Sequence, residues 1–107
     1  MRILFDQGTP VPLRKALVGH TVETAFERGW ENLLNGDLLD AAQRSGFEAL
    51  ITTDQNLRSQ QNLTSRRIAI IVLMTTSWPR IRRQQGTVVA AITRLRDCDY
   101  LEISFSR

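Results

Sequence analysis

Short apolar runs of strand length alternate along the chain with polar segments that carry helical spacing. Ile3-Leu-Phe ends at Asp6 and leads into Gly8 and Pro10, the pattern of a buried strand entering a loop, so a first strand is predicted over Arg2 to Asp6. Pro12 to Val18 places Leu13, Ala16 and Leu17 at helical intervals and stops at Gly19, which predicts a short helix closed by glycine. His20 to Ala25 alternates around Val22 and reads as a second strand, followed by a loop with Gly29 and Trp30. Asn35-Gly36-Asp37 is a turn and helix-start signal, with Leu38, Leu39, Ala41 and Ala42 supplying an apolar face up to the stop at Gly46.

Ala49 to Thr53 is a third strand that ends in Asp54, just as the first ends in Asp6. Residues 55 to 66 are polar and amide-rich, the composition of a loop with a helical turn. Ile68 to Met74 is continuously apolar, which requires cover on both faces and predicts a central parallel strand. Two helices are predicted over 78 to 83 and 87 to 95, the second with a stripe of Val88, Ala91, Ile92 and Leu95, and a last strand over Tyr100 to Phe105. Strands interleaved with helices predict a three-layer α/β/α sandwich around a mostly parallel sheet of about five strands, a single domain over residues 1 to 107.

Composition narrows the class. A hydrophobic fraction of 42% with 23% charged residues is that of an ordinary globular chain. The run Ile68 to Met74 is about a third of what a bilayer-spanning helix needs, and the amino terminus enters a strand with no signal pattern, so a soluble, cytoplasmic protein is expected without membrane contact. One cysteine, Cys98, cannot close an internal disulfide, and with one histidine it cannot build a four-ligand zinc site.

The net charge of +3 hides a strong asymmetry. Residues 1 to 54 carry eight acids against four arginines and Lys15, a net of −3, whereas residues 55 to 96 carry eight arginines and no acid. The tail from Asp97 sets three acids against one arginine, a net of −2. An acid-free arginine stretch beside an acidic half is a plausible footprint for a polyanion lying across a metal-bearing edge, although a solvated surface gives the same count. Arg58, Arg66 and Arg67 follow Asp54 most closely and are ranked ahead of Arg80, Arg82 and Arg83 for contact with RNA phosphates.

In open α/β sheets the functional crevice lies beyond the carboxyl ends of the strands, where Asp6 and Asp54 would stand. Asp37, at the start of its helix, would reach the same crevice if that helix packs beside the first strand. Three converging carboxylates repel one another unless a cation neutralises them, and hard oxygen donors select magnesium or manganese. Such an ion supports phosphodiester hydrolysis without a protein nucleophile. The competing roles are a helix N-cap for Asp37 and a turn residue for Asp54, while a strand-end acid such as Asp6 has no routine structural task.

Three pieces, Ile3-Leu-Phe-Asp6, Gly36-Asp37-Leu-Leu-Asp-Ala-Ala42 and Leu50-Ile-Thr-Thr-Asp-Gln-Asn56, in this order and spacing resemble the small PIN-like proteins, over roughly residues 1 to 75. The resemblance implies a PIN-like fold and a metal-dependent ribonuclease, often the toxin of a toxin-antitoxin pair. It implies that Asp6, Asp37 and Asp54 are the catalytic metal ligands, with Asn56 as a weak or outer-sphere ligand. It further implies RNA as substrate, an antitoxin protein as partner and a homodimer. Gln7 and Asn56 stand where relatives often carry acids, which removes charge and keeps open the alternative of a non-catalytic module that binds nucleic acid or protein. A phosphoacceptor receiver also gathers acids at strand ends, but it needs a lysine late in the chain, and Lys15 is the only one.

Other residues receive structural readings. His20 has no cysteine or histidine neighbour, Trp30 and Trp78 suit packing more than base stacking, Asp97 and Asp99 form a turn, and Cys98 is inert.

Overall fold

A computed structural model describes residues 1 to 57 and 66 to 106. Five strands, β1 (Arg2–Phe5), β2 (Thr21–Thr24), β3 (Ala49–Thr52), β4 (Ala69–Leu73) and β5 (Tyr100–Ile103), form one sheet in the order β2-β1-β3-β4-β5. Every neighbouring pair is parallel, so the sheet is wholly rather than mostly parallel.

Strand alternation sorts the core into two halves. Leu4, Leu50, Ile70 and Val72 pack on one face with Leu38, Leu39 and Ala42 of helix α1 (Asn35–Arg44). Ile3, Phe5, Ile51, Ile71 and Leu73 pack on the other, where Leu13 and Leu17 meet Ile81 of α2 (Trp78–Arg83) and Val88 and Ile92 of α3 (Gln85–Thr93). Both faces are covered, which is why the central strands β3 and β4 are apolar at almost every position and buried throughout. No helix among the described residues is long and apolar enough to cross a membrane.

The helix expected over 12 to 18 is a six-residue 3₁₀ segment, Val11–Ala16. Pro12 lies in its first turn, and the bonds at its ends, from Leu13 N to Pro10 O and from Leu17 N to Arg14 O, span three residues rather than four. The last strand ends at Ile103, short of Phe105. The α1 terminus is a Schellman turn: Phe47 N donates to Ala42 O at 3.0 Å and Gly46 N to Gln43 O at 3.1 Å, with Gly46 at φ 84°.

The chain steps from β1 to β2 on one side, then crosses to β3 on the other side of β1. The strand order therefore reverses between β1 and β3, and a crevice opens at their carboxyl ends, the place where open parallel sheets bind ligands. Phe5 faces Ile51 across this pair, so Asp6 and Thr52 are the next residues at the edge.

Gly46→Ala forces a Cβ into a left-handed backbone and against Arg2 Nη1, and it should lower the unfolding free energy by about 1–2 kcal/mol in urea titration.

Candidate active site at the carboxyl edge

One buried hydroxyl organises the crevice. Thr52 ends β3 at 0% exposure. Its Oγ1 donates to Asp6 Oδ2 at 2.8 Å and accepts from Asp54 N at 3.1 Å. Asp6 is fixed further by its own backbone, which donates to Ile51 O at 2.9 Å, and by Gln7 N, which donates to Asp6 Oδ1 at 2.7 Å. Asn56 N donates to Asp54 Oδ1 at 2.9 Å, and Asn35 Nδ2, from the first residue of α1, donates to Asp54 Oδ2 at 2.6 Å. Each carboxylate oxygen accepts one of these bonds, and an ionised carboxylate has lone pairs for more.

Asp6 and Asp54 thus both stand at the β1/β3 junction, linked through Thr52 by the Asp6 carboxylate on one side and the Asp54 backbone N–H on the other, and Asp37 does not complete a cluster with them. Asp37 is exposed in the first turn of α1, and no group of three or more His, Cys, Asp or Glu side chains among the described residues is placed to hold a metal. The three-carboxylate site expected from Asp6, Asp37 and Asp54 is therefore not assembled: α1 begins at Asn35, so its first residue, rather than Asp37, reaches Asp54. Nor is Asp37 the N-cap of the helix, a position held by Leu34. Asn56 contributes its backbone N–H to Asp54. The remaining donor set, hard oxygens from Asp6 and Asp54, still suits magnesium, which is commonly held through one or two carboxylates and retains several waters.

The arginines divide by edge. Arg66 and Arg67 precede β4 and so lie at the amino end of the sheet, a strand length of roughly 16 Å from the carboxylates. Arg66 Nη1 bonds Asp40 Oδ1 at 2.6 Å, with its side chain 16% exposed, and Arg67 faces Asp97 at 3.9 Å. Neither stands beside the crevice as the sequence reading expected, and Arg58 lies outside the described residues. Arg80, Arg82 and Arg83 belong to α2, which departs from the loop after the carboxyl end of β4, and they make no ion pair with any described residue.

The sequence offers Thr52 and Thr53 together as groups that could position phosphate or water, and it does not single out Asn35 or Gly8. A Cβ on Gly8 would collide with Thr53 Oγ1, so the loop after Asp6 needs glycine there to approach β3. The Thr-Thr-Asp motif was visible, but which hydroxyl turns toward Asp6 depends on strand register. Trp30, Trp78 and His20 make structural contacts. Trp30 packs edge-on to Phe47 at 6.1 Å with Arg28 stacked over it at 4.7 Å, Trp78 packs against the core, and His20 Nδ1 lies 3.2 Å from the terminal amine of Met1.

A recess of about 260 Å³ adjoins Asp6 on the β2 side. Glu27 in its wall is held below its usual carboxyl range by the Thr24 backbone N–H and by Arg14. The folded value is the depressed one, so this contribution to stability is present above pH 4.5 and lost as the pH falls through the folded value. A second recess, about 340 Å³ and lined by Gln43, Phe47, Arg67 and Asp97, lies at the amino edge, away from the carboxylates.

No family model, no curated protein and no solved structure matches the chain.

Thr52→Val removes both hydroxyl bonds at constant shape and leaves the Asp54 N–H without its acceptor. Urea unfolding should register a loss of about 1–3 kcal/mol, and Thr52→Ser should lose less because it keeps both bonds.

Proposed function

We propose that the chain is a PIN-like, divalent-metal-dependent ribonuclease of the cytoplasm that hydrolyses RNA phosphodiester bonds at the β1/β3 junction. The observation that carries this reading is the Thr52 bridge, which ties the Asp6 carboxylate to the Asp54 backbone N–H at a strand-order reversal. Two carboxylates held this way favour a cation between them, and Asp6 and Asp54 would hold magnesium or manganese. Asp37 adds negative charge from the first turn of α1. When bound, such an ion supplies Lewis-acid polarisation of the phosphodiester and activation of water.

The chain's own residues do the positioning. Thr52 and the Gln7 N–H orient Asp6, while Asn35 and the Asn56 N–H orient Asp54. Arg80, Arg82 and Arg83, with no carboxylate partner among the described residues, take the role of phosphate contacts in place of Arg66 and Arg67, which lie at the opposite end of the sheet, Arg66 bonded to Asp40. An RNA-cleaving activity on so small a domain suits the toxin of a toxin-antitoxin pair, restrained by an antitoxin protein.

A second reading, a nucleic-acid-binding module without catalysis, is favoured by the lack of a third carboxylate in the cluster and by Gln7 beside Asp6. Incubation of the pure protein with mixed RNA separates the two. The ribonuclease cleaves in manganese, stops in EDTA and loses about 100-fold or more in Asp6→Asn; a protein that leaves RNA intact in manganese is the module. Binding to single-stranded RNA should weaken linearly with the logarithm of salt concentration, and replacing Arg80, Arg82 and Arg83 by Gln should lower that slope by about 2. The same replacement at Arg66 and Arg67 should change it little.

A further inference from the structure

The recess on the β2 side of Asp6 is not used by the chemistry described above. Asp6 forms one of its walls, and Gln7, Val11, Arg14, Phe26 and Glu27 form others. Two of these are apolar side chains left in solvent: Phe26 is 70% exposed and Val11 53%. The Phe26 ring makes no ring contact with a described residue, whereas Trp30 and Phe47 pack on each other. The same recess is lined by a charged pair. Arg14 Nη1 and Nη2 donate to Glu27 Oε2 and Oε1 at 3.2 and 3.0 Å, Thr24 N donates to Glu27 Oε1 at 2.9 Å, and Glu27 N donates to Thr24 Oγ1 at 3.0 Å. Arg14 Nε is buried and has no partner.

An exposed aromatic face beside fixed polar groups suits a flat ligand that is apolar on its faces and polar at its edge. The volume, about 260 Å³, falls just below the roughly 300–1,000 Å³ of sites for drug-sized molecules, so it suits one heteroaromatic ring system. Asp6 belongs both to this recess and to the Thr52-linked pair, so a ligand seated here borders the Asp6 end of the candidate site. We propose that the recess receives one nucleobase of single-stranded RNA, stacked on Phe26, with the adjoining phosphate at Asp6 and Asp54. The inference rests on the ribonuclease reading for the identity of the polymer, and it adds the place where the base is held.

The test is an NMR titration of the full chain in EDTA with the four nucleoside 5′-monophosphates and, separately, ribose 5-phosphate. The nucleotides should give saturable shifts at the backbone amides of Gln7, Arg14, Phe26 and Glu27, and ribose 5-phosphate should not. Phe26→Ser should weaken binding by about tenfold, the usual share of one stacked base, while Phe26→Trp keeps it. Val18→Ser, at a residue 85% exposed outside the recess walls, should bind as the native chain does. Absence of saturable shifts, equal shifts from ribose 5-phosphate, or undiminished binding by Phe26→Ser overturns the base site. Because the titration excludes metal, nucleotide binding without RNA cleavage in manganese removes the enzyme reading alone. Cleavage with an unresponsive recess removes the base site alone.

Discussion

The carboxyl edge depends on the placement of Thr52, a hydroxyl at the end of a strand whose other residues, Ala49, Leu50 and Ile51, are wholly apolar. A polar group at 0% exposure is costly unless its bonds are made, and this one makes two: it gives its proton to Asp6 and accepts the backbone proton of Asp54. Parallel pairing sets the geometry. Because Phe5 and Ile51 are in register, the residues that follow them arrive together, and a hydroxyl on one strand meets a carboxylate on the other. The loop after β3 then folds back on Thr52 through its own backbone, which brings the second carboxylate in, and Asn35 at the start of α1 holds it from the side. Secondary structure, register and side-chain chemistry are coupled here in a few residues.

Arginines without an ion pair among the described residues stand at both ends of the sheet. At the amino edge Arg66 faces Asp40, Arg2 faces Glu23 and Arg67 lies 3.9 Å from Asp97, whereas Arg44, Arg94 and Arg96 make no ion pair with a described residue. The α2 arginines, which follow the carboxyl end of β4, have no such neighbours among the described residues. Positive charge left without a partner costs little while it stays hydrated.

Much of the fold is legible in the residues themselves. Continuous apolar runs at Ile3 to Phe5 and Ile68 to Met74 announce strands covered on both faces, and Gly46 marks the end of α1 through the positive φ that its turn requires. Asp6 and Asp54 are legible as residues of the carboxyl edge because each closes a strand-length apolar run. What sequence distance misleads about is direction. Arg66 and Arg67 are close to Asp54 along the chain, yet the intervening segment carries the chain from the carboxyl end of β3 to the amino end of β4. Asp37 is misjudged for a related reason: a helix start can be located to within a residue or two, but which of its first residues faces the sheet edge is fixed by packing, and Asn35 is the one bonded there. Thr52 could not be told from Thr53 without the register.

The central claim is that Asp6 and Asp54, coupled through Thr52, form one shared site for a divalent ion. Paramagnetic broadening of amide resonances by substoichiometric manganese reads this without any substrate. Saturable broadening is expected, centred on Asp6, Gln7, Thr53 and Asp54, and abolished in Asp6→Asn and again in Asp54→Asn. Broadening that is unsaturable, is centred elsewhere, or survives either substitution would contradict it.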